Sequence, residues 1–406
     1  MDRVRRPLAA HARGKAMSLE YDPYSYEIDL DPYPLYRRMR DEAPAYYNPR
    51  LDFWAVTRFA DCHDALLDWQ TFSSAQGTVL ELMGDTSLAG SLIIFMDPPK
   101  QTRYRNLVSK AFTPGRIRAL EPRIRKIAVD YLDRLVGRPR FDVVREFTAK
   151  LPMDVISTLL GIPKEDRDRV RGWSNDILHR DAGNPMPTRQ GFEALGHLFS
   201  YFGEQVALRR KRPRDDMMSV LVEAEVDGER LSDVEIGGFF NLLATAGNET
   251  VTKLLASAFY WLDRFPGERR ILVEAPAVIP NAVEELLRFD PPSQYQGRTL
   301  TRDVSLHGAA LPKGAKLMIV NGASGRDERR FPDPDRLDVR REIEFHLGFG
   351  YGRHICLGAF LARMESRVAL EEFLRRWPEY GVPEDGVERM HSSNVRGLSG
   401  LVLEPR

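Results

Sequence analysis

The most constraining feature of this sequence is a glycine-rich segment around one cysteine, Phe-Gly-Tyr-Gly-Arg-His-Ile-Cys-Leu-Gly, at positions 349–358. Three glycines within ten residues let the backbone turn tightly and approach a flat ligand closely. A helical pattern begins at Ala359, so the positive end of that helix points back toward Cys356 and favours a thiolate over a thiol. A cysteine that merely fills a core needs none of these features. The segment therefore predicts a functional thiolate at position 356.

Cysteine content and charge exclude several classes of protein. The chain has only two cysteines, Cys62 and Cys356, which excludes a disulfide framework and paired-cysteine zinc sites and fits a reducing cytoplasm. Basic and acidic residues balance at 59 each, so no overall basic field favours nucleic acid or an anionic membrane. No uncharged apolar run reaches the roughly 18 residues that span a bilayer. We expect a cytoplasmic protein that binds neither membrane nor nucleic acid.

Helical periodicity dominates the chain, and strand signals are few and short. Helices are predicted over Leu35–Asp41, Phe59–Asp68, Arg103–Phe112, Ile117–Leu135, Met153–Leu160, Gln190–Lys211, Asp233–Arg264, Asn281–Arg288 and Ala359–Trp377. Strands are predicted over Phe53–Thr57, Val304–Leu306, Ala315–Val320 and Leu401–Leu403. A long irregular stretch, Gly325–Arg341, precedes the cysteine, and a loop of that length tends to be functional. We expect a basic, disordered tail at 1–16 and one mainly α domain at 17–406, with Met17 as a possible natural start.

The predicted helix Asp233–Arg264 contains residues that weaken a helix interior. Ala-Gly-Asn-Glu-Thr at 246–250 places a glycine, an acid and a hydroxyl in its middle. Such local violations concentrate at functional sites. One face carries Phe239, Leu243, Ala246 and Thr250, which would form an apolar wall with a hydroxyl at one end. Taken alone, the pattern also fits a core helix with a satisfied threonine.

The cysteine segment resembles the haem-binding segment of the cytochrome P450 family, whose pattern Phe-Gly-x-Gly-x-His-x-Cys-x-Gly is matched at every fixed position. The resemblance covers 17–406 and implies the family's fold: mainly α with a small β region, a long central helix over haem and the cysteine loop below it. It also implies haem b, iron protoporphyrin IX, with Cys356 as the metal ligand and His354 near a propionate. Phe349, Gly350 and Gly358 would shape the loop against the haem.

Other positions take their expected roles from the same resemblance. Thr250 would hydrogen-bond dioxygen and Glu249 would relay protons, although many members have aspartate at the acidic position. Ala246 and Gly247 would leave room above the iron. Further residues match propionate contacts, namely Arg298, Arg105 and Gln101, the last standing where many relatives have histidine. A structural clamp beneath the cysteine loop is expected from Glu285, Arg288 and Arg336.

A substrate pocket is expected to draw on Thr78–Ile94, Asp176–Tyr201 and Ser293–Gln296. These segments are partly apolar, so we expect a small lipophilic substrate. The residues expected to line the pocket are Phe239, Leu243, Ala246, Ile93, Ile94, Ser293, Gln294 and Tyr295.

The family resemblance implies a monooxygenase that inserts one oxygen atom of O₂ into its substrate. Electrons would come from NAD(P)H through a separate reductase and a ferredoxin-type carrier, and we expect a monomer. Nine basic residues and one acid lie between Lys100 and Lys126, a charge run that fits either a solvated helix face or a docking surface. The resemblance implies that a small acidic electron carrier binds on this side of the haem. Two alternatives remain open: a peroxide-driven peroxygenase, and a haem-binding sensor without catalysis.

Overall fold

The computed structural model describes residues 19–84, 92–178, 186, 188–226 and 228–406. The predicted tail, Met17 and parts of the predicted pocket roof, at 85–91, 179–185 and 187, lie outside the described residues. Helices form most of the rest: α1 Tyr26–Leu30, α2 Tyr33–Glu42, α3 Phe59–Leu67, α4 Lys100–Ser109, α5 Pro114–Ala119, α6 Glu121–Leu132, α7 Leu151–Leu160, α8 Arg167–Leu178, α9 Arg189–Lys211, α10 Met217–Glu223, α11 Asp233–Arg264, α12 Pro266–Glu274, α13 Ile279–Phe289, α14 Asn321–Ser324 and α15 Ala359–Arg376.

The strands are short: β1 Ala45–Asn48, β2 Phe53–Val56, β3 Phe72–Ser73, β4 Phe141–Asp142, β5 Glu225–Val226, β6 Glu229–Arg230, β7 Gln296–Leu300, β8 Val304–Leu306, β9 Ala309–Leu311, β10 Lys316–Ile319, β11 Tyr380–Gly381, β12 Val387–Arg389 and β13 Leu398–Pro405. The largest sheet has the order β1-β2-β10-β7-β3, in which β2 and β10 are parallel and the other pairs antiparallel. A second sheet joins β11, β13 and β12, with β4 also on β13. The expected mainly α fold with a small β region is confirmed.

Helix α11 is the central element of the fold and has the predicted bounds. It begins with a capping box, in which the Ser232 side chain and the Glu235 side chain each accept from the other's backbone amide. Its neighbours include α7, α9 and α15, and most of its length is buried. The burial explains why a helix with several weak helix formers is stable, because tertiary packing outweighs intrinsic propensity.

Other elements depart from the prediction in identifiable ways. The predicted helix Ile117–Leu135 is two helices, α5 and α6, which meet at Leu120. Pro122, at the second position of α6, cannot donate the hydrogen bond that a continuous helix would need. Five helices of the described residues were not predicted, namely α1, α8, α10, α12 and α14. The irregular stretch Gly325–Arg341 has neither helix nor strand, as expected.

No helix in the described part of the chain is long and apolar enough to cross a membrane.

Candidate active site

The cysteine loop adopts a backbone path that requires its glycines. Gly350 and Gly352 both have φ of +67°. A Cβ at Gly350 would lie 2.7 Å from Nε2 of Gln296, and one at Gly352 would lie 2.7 Å from the carbonyl oxygen of Leu66. Across the loop, the amide of Cys356 donates a 2.9 Å hydrogen bond to the carbonyl of Phe349. Glycine is therefore needed for conformation at both positions, and for space at Gly352, where the opposing atom belongs to the backbone.

The sulfur of Cys356 is enclosed by protein although the residue is exposed. We infer that the residue opens onto a recess enclosed by protein, the cleft. Burial raises the pKa of the Cys356 thiol, while a hydrogen bond from the Gly358 amide and the positive charges of Arg105 and Arg363 act in the opposite direction. The donor and the cations thus offset part of the cost of burying a thiolate, and a metal ion would supply the further stabilisation that a thiolate needs here.

Two arginines beside the cleft disfavour the protonation of a nearby histidine. Burial lowers the pKa of Arg298 to about 10, and burial also lowers the pKa of Arg105. Burial, followed by the charges of Arg298 and Arg105, lowers the pKa of His354 to about 3. Nε2 of His354 is buried and has no hydrogen-bond partner in the protein. Among the described residues, no acid lies within ion-pair distance of Arg298. The arrangement suits an anionic ligand at this edge of the cleft.

Two predicted cofactor contacts help to hold the loop. Gln101 is buried, and its Nε2 donates a 2.7 Å hydrogen bond to the carbonyl of Arg353, which also accepts a longer one from Arg105. The ring of Phe349 lies 4.6 Å below the guanidinium of Arg363. Arg363 in turn donates to both carboxylate oxygens of Glu284 on α13, at 2.7 and 2.8 Å. Arg363 and Glu284 were not singled out from the sequence.

The middle of α11 packs, through Leu243, on the same hydrophobic cluster as Leu357 beside the cysteine. Ala246 is exposed although Ala244 and Asn248 on either side are buried. The Thr250 hydroxyl donates to the Ala246 carbonyl at 2.7 Å, which weakens the regular helix ladder there. A Cβ at Gly247 would meet Ile156 of α7 at an ordinary 3.6 Å, so this glycine is not required for space. Glu249 is buried and pairs with Lys253, which the sequence reasoning missed although the two residues have helical i,i+4 spacing.

The predicted pocket residues fall into two groups. Leu243, Ile94 and Ser293 are partly buried, and Leu243 and Ile94 pack on the cluster that also contacts Leu357 beside the cysteine. Ile93 belongs to the same cluster and is buried. The structure does not bring the other three to the cleft surface: Phe239 packs against Tyr104 and Phe112, Gln294 donates to the Pro291 carbonyl, and the buried Tyr295 hydroxyl accepts from the Leu80 amide. Their burial and existing partners leave them no freedom to orient a ligand.

The clamp under the loop has a different third member from the one expected. Arg288 donates to both oxygens of the buried Glu285, at 2.6 and 2.7 Å. The third side chain is that of Arg341, whose Nε lies 3.2 Å from Glu285. Arg336 contributes only its backbone carbonyl, which accepts from Arg288 and Arg341, and the residue is exposed. The expected third member, Arg336, was therefore wrong. The irregular chain directs the side chain of Arg341, five residues later, toward Glu285 instead.

These residues together fit a haem. A thiol with fixed donors, a glycine-shaped loop and a cluster of cationic groups around an orphaned histidine nitrogen match an iron porphyrin with two carboxylates. Comparison with known proteins agrees. The chain is 46% identical to Putative cytochrome P450 123 of Mycobacterium tuberculosis over 388 residues, which is 95% of this chain and 96% of the relative. The chain belongs to the cytochrome P450 family.

Further similarities support the membership of this P450. The Cytochrome P450 family model matches residues 277–401. The structure of cytochrome P450 CYP109Q5 from Chondromyces apiculatus superposes with a TM-score of 0.88 at 35% identity, covering 95% of this chain and 98% of that one. CYP109E1 from Bacillus megaterium in complex with testosterone gives 0.84 at 32% identity, with coverages of 93% and 99%. This P450 is therefore an oxidoreductase of the monooxygenase class whose cofactor is haem b, held by a cysteine thiolate.

Proposed function

We propose that this P450 inserts one oxygen atom of O₂ into a small lipophilic molecule, with Cys356 as the haem ligand. The observation that carries the proposal is the group formed by Arg298, His354 and Arg105, which places positive charge and an unpartnered ring nitrogen beside the Cys356 cleft. These residues would hold the haem propionates. Bound haem supplies the iron that activates dioxygen, and thiolate ligation favours O–O cleavage.

The residues of α11 would handle protons on the other side of the cleft. Reduction of one oxygen atom to water consumes two protons, so a hydroxyl and a titratable group are needed within reach of the reacting atoms. Thr250 would present its hydroxyl to dioxygen, and Glu249, the next residue, would receive protons from water and pass them on. Ala246 would leave space for substrate because its side chain is a single methyl group on the exposed part of α11.

A lipophilic substrate is supported by the side chains that border the cleft. Leu243, Ile94 and Leu357 pack on one hydrophobic cluster, and Ala246 adds an accessible apolar surface. Against such side chains, a ligand gains binding free energy mainly by burying its own apolar surface, and few polar groups are present to fix its orientation. The similar CYP109E1 was crystallised with testosterone, and we infer that a rigid, steroid-sized hydrocarbon skeleton is a suitable first probe. A screen of such compounds for displacement of iron-bound water tests this.

An acidic electron carrier is the partner that the surface supports best. Arg116, Arg118 and Arg123 are exposed and, within the described chain, have no acid at ion-pair distance. Helix α5, which carries two of them, packs against α15, where Phe360 is 43% exposed. An apolar side chain beside cations suits an acidic protein such as a ferredoxin. A reducing cytoplasm is supported by two unpaired cysteines.

The decisive experiment compares Cys356→Ser with Cys62→Ser. The parent protein and Cys62→Ser should give the reduced, carbon monoxide-bound band of thiolate ligation and consume NADPH in a substrate-dependent way with a [2Fe–2S] ferredoxin and its reductase. Cys356→Ser should lose that band. A colourless parent protein, or an unchanged spectrum in Cys356→Ser, would refute the proposal. Faster turnover with hydrogen peroxide than with the carrier would instead favour the peroxygenase, and haem binding without any product would favour the sensor.

A further inference from the structure

A buried ion pair lies next to Thr250 on α11. Nζ of Lys253 is 3.1 Å from Oε2 of Glu249, one helical turn away, and the two side chains are only 7% and 10% exposed. In the residues that the structure describes, no other cation lies within ion-pair distance of Glu249. A carboxylate that is buried to this degree requires a countercharge or hydrogen bonds. Lys253 provides that countercharge.

The chain segment before β13 confines the lysine. A Cβ at Gly397 would lie 2.7 Å from Cγ and 2.9 Å from Cδ of Lys253, so the Gly397 backbone rests directly on the aliphatic stem of the lysine. The contact leaves no space for even a methyl group at position 397. Gly397 has no positive φ that would itself demand glycine. Glycine at position 397 therefore allows the backbone to lie directly against the Lys253 side chain.

We propose that Lys253 is a positioning residue that holds the Glu249 carboxylate in one orientation beside Thr250, so that Glu249 can pass protons toward the cleft. The inference rests on the proposed function, since it assumes a reaction that consumes protons. Lys253 acts through Glu249, and Gly397 acts through Lys253. Glu249, Lys253 and Gly397, which come from two distant parts of the sequence, thus act together to position one carboxylate.

The first test uses Lys253→Met, Lys253→Arg, Glu249→Gln and the double variant Glu249→Gln/Lys253→Met. We expect Lys253→Met to lower product formed per NADPH by roughly tenfold, less than the hundredfold or more that loss of a proton-transferring group can cost. It should also increase the solvent isotope effect on turnover, because proton delivery becomes slower. Lys253→Arg should restore most of the yield, and the double variant should be no worse than Glu249→Gln alone. A purely structural lysine would give additive losses and an unchanged isotope effect, which would overturn the proposal.

The second test does not depend on turnover. In ¹⁵N-lysine-labelled holoenzyme, a buried and paired ammonium should give an Nζ signal whose protons exchange slowly with water. Assignment comes from its absence in Lys253→Arg. The signal should weaken or disappear in Glu249→Gln and shift in Gly397→Ala, which should also reproduce the reduced product yield. A signal unaffected by Glu249→Gln would refute the pairing. The carbon monoxide-bound spectrum of each variant tests the proposed function separately, because it reports Cys356 and not Lys253.

Discussion

The Thr250 hydroxyl donates to the backbone carbonyl of Ala246 across 2.7 Å, where the regular ladder of α11 would normally accept only an amide. In the proposed function, a hydroxyl held in this way would turn its proton from the Ala246 carbonyl toward a ligand in the cleft.

We expect Thr250→Ala to separate NADPH consumption from product formation. The variant lacks the hydroxyl, so oxygen that is reduced without a controlled proton should leave as hydrogen peroxide. Product per NADPH should fall by at least about tenfold while NADPH consumption continues. Thr250→Ser, which keeps the hydroxyl, is the matched control and should retain most of the coupling. Well-coupled product formation by Thr250→Ala would remove Thr250 from the proposed relay.

Substitution of Arg298 should stabilise the haem-free protein but weaken haem binding in the holoprotein. Arg298 is buried, and burial lowers its pKa to about 10, while the charge of Asp97 acts in the opposite direction. Because no acid of the described residues lies within ion-pair distance of Arg298, its charge costs stability until an anion pairs with it. Arg298→Met should therefore raise the free energy of unfolding of the haem-free protein by about 1–3 kcal/mol. In the holoprotein it should release haem to apomyoglobin about tenfold faster, through loss of a charge-assisted hydrogen bond.

The control for that experiment is Arg209→Met. Arg209 is equally buried but pairs with Asp216 at 3.0 Å, so its removal should destabilise both forms by about 3–5 kcal/mol. Similar destabilisation of the haem-free protein by both substitutions would contradict the view that the Arg298 charge is unpaired until an anionic ligand binds.

Acid stability should depend on Glu284. Burial alone would raise the pKa of this carboxyl, but hydrogen bonds from Arg363 and His346 lower it to about 2. Because the folded pKa lies below the unfolded value of 4.5, the carboxylate stabilises the fold above pH 4.5, and this contribution is lost as the pH falls toward 2. At neutral pH it amounts to at most about 3 kcal/mol. Glu284→Gln should lose it and flatten urea-unfolding stability between pH 4.5 and 2. The exposed Glu379→Gln should leave that slope unchanged.

The corrected clamp gives a direct comparison between two arginines five residues apart. Arg341→Ala removes a partner of the buried Glu285 and three hydrogen bonds to backbone carbonyls, so it should cost about 1–3 kcal/mol of unfolding free energy. Arg336→Ala should change stability by no more than about 0.5 kcal/mol, because only its backbone carbonyl is used. Thermal or urea unfolding of the two holoproteins decides between them, and a larger loss for Arg336→Ala would restore the original assignment.

The features that could be predicted from the sequence are those set by helix periodicity, helix capping and short motifs. The capped, periodic helix α11 has its predicted bounds, and the pattern around Cys356 pointed to the family that the comparisons show. The sequence could not decide which arginine of an irregular stretch faces Glu285, since no periodicity relates sequence position to direction there. The prediction for Tyr295 was wrong for a related reason. A polar aromatic residue shortly after two prolines is typical of a loop, and only the tertiary structure brings the Leu80 amide close enough to donate to its buried hydroxyl. Lys253 was overlooked because i,i+4 charge pairs usually lie on exposed helix faces.

The parallel pairing of β2 with β10 has a consequence for synthesis of the protein. Val56 aligns with Ile319, so the first hairpin emerges from the ribosome about 260 residues before its central partner, a delay of roughly 13–50 s at typical bacterial elongation rates. During that interval, one backbone edge of β2 has no native neighbour and is open to pairing with other nascent chains. Yield in a heterologous host should accordingly depend on chaperone capacity and translation temperature before it depends on haem supply.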